Sequence, residues 1–425
     1  MRFLAAFALV CLPAAAEVHT LTLRQAAARA MAQSPGVLLA RIDEQAAAQQ
    51  VHVARDAFIP KVFAGSGLAY SYGFPMSIEG SAPSVFQARA VSSVYNRSRS
   101  YALAQTREAA RGLAFLTQAR SEDAVLRTIQ LWLDAEHAAR SAEAASGQVE
   151  TARKLEAVTR SRVEGGTELP IELRKAVLET AKARQRAQAF ESQRDVLEAT
   201  LATLLGYEPG DRARPLSGDR PLPGVPDSEE AARTQAWTQS KELRKLESDL
   251  LAKELSVRSA RATRLPTLDL VAQYGLFAKF NNYEDYFNRF QRNNAQLGVS
   301  ITVPLYLGPA ASAQATIATL EASRLRTQIQ AARNDIAVSV NEDFALLRRA
   351  QTALEVARLD LDVARESLNL LMKRHEMGEG TLAEVESARR LESEKWLAWL
   401  TAQHDIESAR FALLYRTGSL LAAVR

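Results

Sequence analysis

The chain has 425 residues, 47% of them apolar and 24% charged, with a formal net charge of +4. That length exceeds one ordinary compact domain, and the balance excludes both a disordered chain and a bundle of membrane helices. Positive and negative residues alternate along the helical stretches, the pattern of solvated helix faces, and no nucleic-acid groove is expected.

Arg2, the apolar run Phe3 to Leu12 and the small residues Ala14-Ala15-Ala16 read as a secretory signal peptide over residues 1–16. The single cysteine, Cys11, lies inside it, and Leu9-Val10 lack the small residue that a lipid-processing site prefers. The mature chain is then cysteine-free, which suits an oxidising compartment and excludes a disulfide-held fold. No mature stretch reaches the roughly 18 consecutive apolar residues of a spanning helix.

A helix is predicted from about Val37 to Phe58, ended by Pro60. Two strand-like runs come next, at about 61–74 and 84–95. Arg97 to Glu164 then contains no proline and only Gly112 and Gly147. Gly165-Gly166 breaks this helical pattern, and Pro170 opens another helix, as proline at a first turn does. Pro209 to Pro226, rich in Pro, Gly and Asp, reads as a linker.

The second half repeats the first. Gln33-Ser34 aligns with Gln239-Ser240, Ala54-Arg55 with Ala260-Arg261, and Ile59-Pro60 with Leu265-Pro266. Gly166, Glu172, Leu173 and Ala176 recur as Gly378, Glu384, Val385 and Ala388. The expected organisation is one helix–strand–strand–helix repeat over 17–208, a linker over 209–226, and a second repeat over 227–425. Its strands fall at about 267–280 and 295–306, and Ala310 to Met377 has neither Gly nor Pro. A helix that long, roughly 100 Å at 1.5 Å per residue, must pack sideways in a coiled-coil array.

The strands carry the functional information. Leu268, Leu270, Ala272, Tyr274 and Leu276 alternate with Thr267, Asp269, Gln273 and Gly275. Leu297, Val299, Ile301, Val303 and Leu305 alternate with Gln296, Gly298, Ser300 and Thr302. In the first half Val62, Ala64, Leu68, Tyr70, Tyr72 and Phe74 share a parity, as do Phe86, Ala88, Ala90 and Val94 in the next run. Gln87, Arg89 and Ser93 stand on that run's other face. One face is therefore apolar and the other small, polar or charged. Runs of about 10–14 residues suit tilted membrane strands, and tyrosines and phenylalanines near their ends suit interfacial girdles. Leu270 and Val299 are expected to face lipid; Arg89, Asp269, Gln273 and Gln296 are expected to face water in a barrel lumen.

Four strands cannot close a barrel, and an open edge in lipid leaves backbone groups unsatisfied. Two chains give a filled eight-strand barrel, whereas three give twelve strands and a lumen, so a homotrimer is the smallest assembly with a pore. The segment 281–294, with Tyr283, Tyr286, Phe287 and Phe290, reads as an external loop, and the 75–83 connection as its shorter counterpart. The five histidines, His19, His52, His137, His375 and His404, show no metal-ligand spacing. No nucleophile elbow, P-loop or dinucleotide fingerprint appears, so neither an enzyme nor a cofactor is expected.

The opening Leu21-Thr22-Leu23-Arg24-Gln25-Ala26 with Gln33-Ser34-Pro35 resembles that of the outer membrane efflux protein family, the TolC-like outer membrane factors. So do the A-R-x3-[IL]-P helix ends, Val303-Pro304-Leu305-Tyr306 closing the fourth strand, and the duplicated G-x5-E motifs. The resemblance implies a mixed α and β membrane protein: a trimer with a 12-strand outer membrane barrel on a helical periplasmic tunnel. It further implies docking to a periplasmic adaptor (membrane fusion protein) and an inner-membrane pump. The docking tips would be the turns carrying Arg162, Gly165, Gly166 and Thr167, and Arg374, Gly378, Gly380 and Thr381. The periplasmic gate candidates are Glu384 and Glu172; Ser387 stands where the family often has a second acid. The leading expectation is an exit duct for small molecules. A channel for type I protein secretion and a periplasmic coiled-coil adaptor are the alternatives.

Overall fold

A computed structural model describes residues 17–68, 84–216, 223–278, 291–377, 379 and 381–424. The predicted signal peptide, Tyr70, Tyr72, Phe74, the predicted 75–83 connection, residues 281–290 of the other connection, Gly378 and Gly380 lie outside these residues; Asn293 and Asn294, expected in that second connection, instead open a strand by pairing with Leu276 and Gly275.

In the first half the order is β1 (Val18–Leu21), α1 (Leu23–Gln33), α2 (Pro35–Asp56), β2 (Lys61–Gly67), β3 (Ser84–Tyr95), α3 (Arg97–Glu164), α4 (Pro170–Leu204) and β4 (Arg212–Pro215). In the second half α5 (Glu229–Gln239), α6 (Lys241–Ala262), β5 (Thr267–Phe277) and β6 (Asn293–Thr302) precede α7 (Gly308–Glu376), α8 (Leu382–Arg416) and α9 (Leu420–Val424). Among the described residues no helix is long and apolar enough to cross a membrane.

Local chemistry sets these boundaries. Thr22 and Gln25 form a reciprocal capping box at the start of α1. Ser34 is extended, as a residue before proline should be, so α2 begins at Pro35 rather than at Val37. The fourth strand stops at Thr302, and Val303-Pro304-Leu305-Tyr306 comes after it rather than closing it, because Pro304 has no N–H to give a ladder. Within the predicted linker, Arg212–Pro215 forms a strand, paired in parallel with Val18–Leu21. Neither four-residue strand is long enough to show a period in sequence.

The chain divides into two compact units. The first takes its residues from 1–39, 118–240 and 333–425. Its core gathers Ile129, Trp132, Leu201, Leu205 and Leu420, all essentially without solvent exposure. The Trp132 indole N–H donates to the Leu21 carbonyl at 3.1 Å, fixing the ring while its body fills the core. Glu198, fully buried, receives Arg214 of β4 at 2.8 Å, so the charge taken out of water is compensated. The His19 ring stacks on Tyr207 at 4.1 Å, and the Arg29 guanidinium lies 3.7 Å over the same ring.

The second unit, residues 40–117 and 241–332, holds an antiparallel four-stranded sheet in the order β2-β3-β5-β6. Next to the sheet, Ser98 of α3 and Ser259 of α6 exchange hydroxyl-to-carbonyl bonds of 3.0 and 2.9 Å. Such short polar contacts need helices that approach closely, which small side chains permit.

Candidate functional site

Register sorts the sheet's side chains into two faces, because directly opposed residues share a face. One row is Val62, Ala90, Ala272 and Leu297, and the next is Ala64, Ala88, Tyr274 and Ala295. Leu270 opposes Val299, and Leu268 opposes Ile301. These side chains are not covered: Leu297 is 78% exposed and Ile301 67%. A sheet whose apolar face meets no core among the described residues needs an apolar environment from outside them.

The opposite face carries the sheet's charged and carboxamide side chains, with Phe63, Val91 and Val271 among them, and its residues also align. Phe63, Arg89, Gln273 and Gln296 form one row across all four strands. Gly65, Gln87, Gly275 and Asn294 form the row on one side of it, and Lys61, Val91, Val271 and Gly298 the row on the other. Asp269 stands between Ser93 and Ser300. The predicted lumen residues Arg89, Gln273 and Gln296 thus come together in a single row, with Asp269 apart from them.

One parity expectation fails. Ser93 opposes Asp269 and Tyr95 opposes Leu268, so β3 bulges and passes over Val94. Tyr95, not Val94, therefore continues the apolar row. A second bulge passes over Val85, since Ser84 opposes Phe277 and Phe86 opposes Leu276. Each bulge inserts one residue and switches the face on which the next residues of the strand stand.

Both turns predicted to form the tip lie in the first unit and close their helices alike. Gly166 adopts φ +72°, which an L side chain resists. That conformation lets the Gly166 N–H reach Val163 O at 3.1 Å and the Thr167 N–H reach Arg162 O at 2.9 Å. The Thr167 hydroxyl donates to the same Arg162 carbonyl at 2.9 Å. In the second turn Glu379 N–H bonds Arg374 O at 2.9 Å, the equivalent closure. Lys373, Arg374 and His375 in the last turn of α7 complement its carbonyl end.

The two gate candidates are used differently. Thr381 caps α8: its hydroxyl accepts the Glu384 N–H at 3.3 Å, and a Glu384 carboxylate oxygen accepts the Thr381 N–H at 2.9 Å. That backbone bond first, and then the Thr381 hydroxyl, hold the Glu384 carboxyl below the usual glutamate range. At the start of α4 the cap residue is Leu169, which has no side-chain oxygen to offer, and Glu172 instead receives Lys175 at 2.8 Å. A third acid, Glu386, belongs to neither glycine motif. Burial, and then the charges of Glu172, Glu179 and Glu168, raise its pKa, while Arg390 opposes the rise. Its only sequence signal is its place two residues beyond Glu384. Farther along these helices, a cavity of about 840 Å3 opens between α3, α4, α7 and α8, with Trp396, Trp399, Arg186 and Glu386 in its wall.

Residues 232–423 match the model of the family described as outer membrane efflux protein. The outer membrane efflux protein BepC of Brucella suis biovar 1 (strain 1330) is 23% identical over 225 residues, 53% of this chain and 48% of that protein. The match therefore spans about half the length of this curated relative. Among solved structures, CusC has a TM-score of 0.78 at 14% identity, covering 93% of this chain and 92% of its own. The Campylobacter jejuni CmeC outer membrane channel has 0.76 at 12%, covering 94% and 86%. The open state of the Neisseria gonorrhoeae MtrE outer membrane channel has 0.72 at 16%, covering 94% and 89%. The fold, long helices together with a four-stranded sheet, is that of these channels, and the match to the outer membrane efflux protein family is carried by residues 232–423.

Proposed function

We propose that this protein is the outer-membrane exit duct of a tripartite export system, assembled as a homotrimer that carries small molecules out of the cell. The observation that supports this reading best is the open sheet. Both outer edges, β2 and β6, lack a strand partner among the described residues, and the apolar face is exposed in rows. Backbone groups on such edges are tolerated in lipid only if other strands close the ring. Three copies supply twelve strands, which leave a lumen lined by the polar rows.

The turns at Arg162, Gly165, Gly166 and Thr167, and at Arg374, Gly378, Gly380 and Thr381, serve in this reading as the adaptor-docking tip, with the inner-membrane pump behind the adaptor. Glu384, Glu172 and the added candidate Glu386 supply the carboxylates of the periplasmic constriction. Three copies of a carboxylate around a narrow axis repel one another, which favours cations there and disfavours closure without them.

The test is purification from outer membranes in detergent, chemical crosslinking, and planar-bilayer recording. The reading expects a crosslinked trimer and discrete conductance steps. A monomer that stays in solution without detergent and conducts nothing overturns it.

A further inference from the structure

The described residues of the four-stranded sheet carry two cations, Lys61 and Arg89, and a single acid, Asp269. Lys61 is held by Asp56 at 2.8 Å. Arg89 enters no ion pair among the described residues, and Asp269 belongs to a row two registers away. Four residues along β5 separate Asp269 from Gln273, roughly 13 Å at the rise of a strand.

Arg89 is opposed by Phe63 on β2, and on its β5 side it is followed by hydrogen-bond donors. Gln273 opposes it on β5, and Gln296 opposes Gln273 on β6. Adjacent strands lie about 4.8 Å apart, so the guanidinium and two carboxamides form a band roughly 10 Å wide. The rows on either side contain glycine: a Cβ added at Gly65 or Gly298 would meet nothing within 4 Å. There is room over this band for a solute to approach the backbone.

An unpaired guanidinium cannot be buried against an apolar core without a large penalty, so this face must stay wet. A guanidinium also keeps its charge at any working pH and presents a planar fork that fits the two oxygens of a carboxylate or phosphate. Carboxamide N–H groups extend the donor set without adding a competing negative charge.

We propose that the Arg89–Gln273–Gln296 row is an anion-selecting band of the duct, which favours solutes bearing an oxyanion over cations. This rests on the trimeric-channel reading, which turns one row per chain into a ring of three. Three fixed cations around one lumen raise the local anion concentration, because a cleft of one sign within low-dielectric walls focuses the field. The sheet then discriminates in the opposite sense to a carboxylate constriction at the tip.

The experiment is the zero-current potential of single channels across a tenfold potassium chloride gradient. Wild-type protein is compared with Arg89→Gln, with Gln273→Glu, which sets a carboxylate opposite the intact guanidinium, and with both at high salt. The expected result is a chloride-to-potassium permeability ratio lowered about tenfold in each variant at low salt, with the difference fading at 1 M salt. Block by millimolar benzoate should weaken in parallel. Trimer recovery on crosslinking verifies that the variants assemble. Variants that conduct with the wild-type zero-current potential and wild-type benzoate block overturn the anion-selecting band and leave the channel standing. Wild-type trimer that never conducts overturns the channel reading itself.

Discussion

Leu270 and Asp269 are neighbours in β5 whose side chains leave on opposite faces, and this adjacency gives a sharp test of the sheet's orientation. Leu270 opposes Val299 in the apolar rows, whereas Asp269 lies between Ser93 and Ser300 in the polar ones. Replacing Leu270 by Arg sets a guanidinium toward lipid at a cost of about 2–4 kcal/mol near the bilayer midplane, falling toward the interfaces. Leu270 is the fourth residue of an eleven-residue strand, so about 2–3 kcal/mol per chain is the working figure, or roughly 6–9 kcal/mol for a trimer. Each 1.4 kcal/mol is about tenfold in an equilibrium, so assembled trimer should fall well below a tenth of wild type. Asp269→Arg adds the same side chain one residue away, facing water, and should assemble at near wild-type levels. The assay is the amount of detergent-resistant trimer in the outer-membrane fraction at matched expression. Equal trimer from Leu270→Arg and wild type refutes the face assignment, and equal loss from Asp269→Arg refutes the reasoning that lipid is the cause.

Trp132→Ala empties the first unit's core and removes one of the two donors to the Leu21 carbonyl, which keeps the Leu216 N–H; it should destabilise that unit by about 3–5 kcal/mol, read from denaturant melts, whereas Trp132→Phe should cost less. Glu384→Gln keeps an oxygen for the α8 cap but loses the charge, and Glu384→Ala loses both. If Glu384 serves the constriction, both alter single-channel conductance; if it serves only the cap, Gln conducts like wild type. The histidine pair predicts opposite pH dependences. His404 bonds Asp134 at 2.7 Å, and that bond raises its pKa, so its stabilising contribution is full below about pH 6.5 and is lost as pH rises through the raised value. His137, its ring 5.3 Å away, has its pKa lowered first by burial and then by the charge of His404; its contribution is present above about pH 6.5 and lost on acidification. His404→Gln should therefore cost more at pH 6 than at pH 9, and His137→Gln should be relatively favourable at pH 5. Thermal midpoints that respond alike in the two variants refute this assignment.

The fold class could be read from the residues because its main signals are one-dimensional. The alternation from Thr267 to Leu276 needs no knowledge of neighbours, and the unbroken run from Ala310 to Met377 leaves little but a long helix. What escaped depends on contacts that sequence spacing does not encode. The β1–β4 ladder joins Val18 to Arg212 and is too short to show a period. The bulge at Val94 is invisible to parity, since an inserted residue looks like any other until its partner strand is known. Glu386 escaped because the acids that act on it, Glu172 and Glu179 of α4 and Glu168 just before it, come from the other repeat, and only Arg390 stands on its own helix.

The duplication extends further than the matched motifs suggested, for a packing reason. Gly206 and Gly418 both adopt positive φ where α4 and α8 end. A Cβ at Gly206 would sit 3.6 Å from the Gln33 side chain, and one at Gly418 only 2.8 Å from that of Gln239. Gln33 and Gln239 are themselves aligned partners of the repeat, so each half closes its long helix on its own copy of the same glutamine. Alanine at Gly418 would combine a disfavoured backbone with a collision against a side chain's root, and it should cost more than alanine at Gly206, which faces the backbone term alone. The two halves preserve one joint, packed to different tightness, and a pair of single substitutions measures the difference.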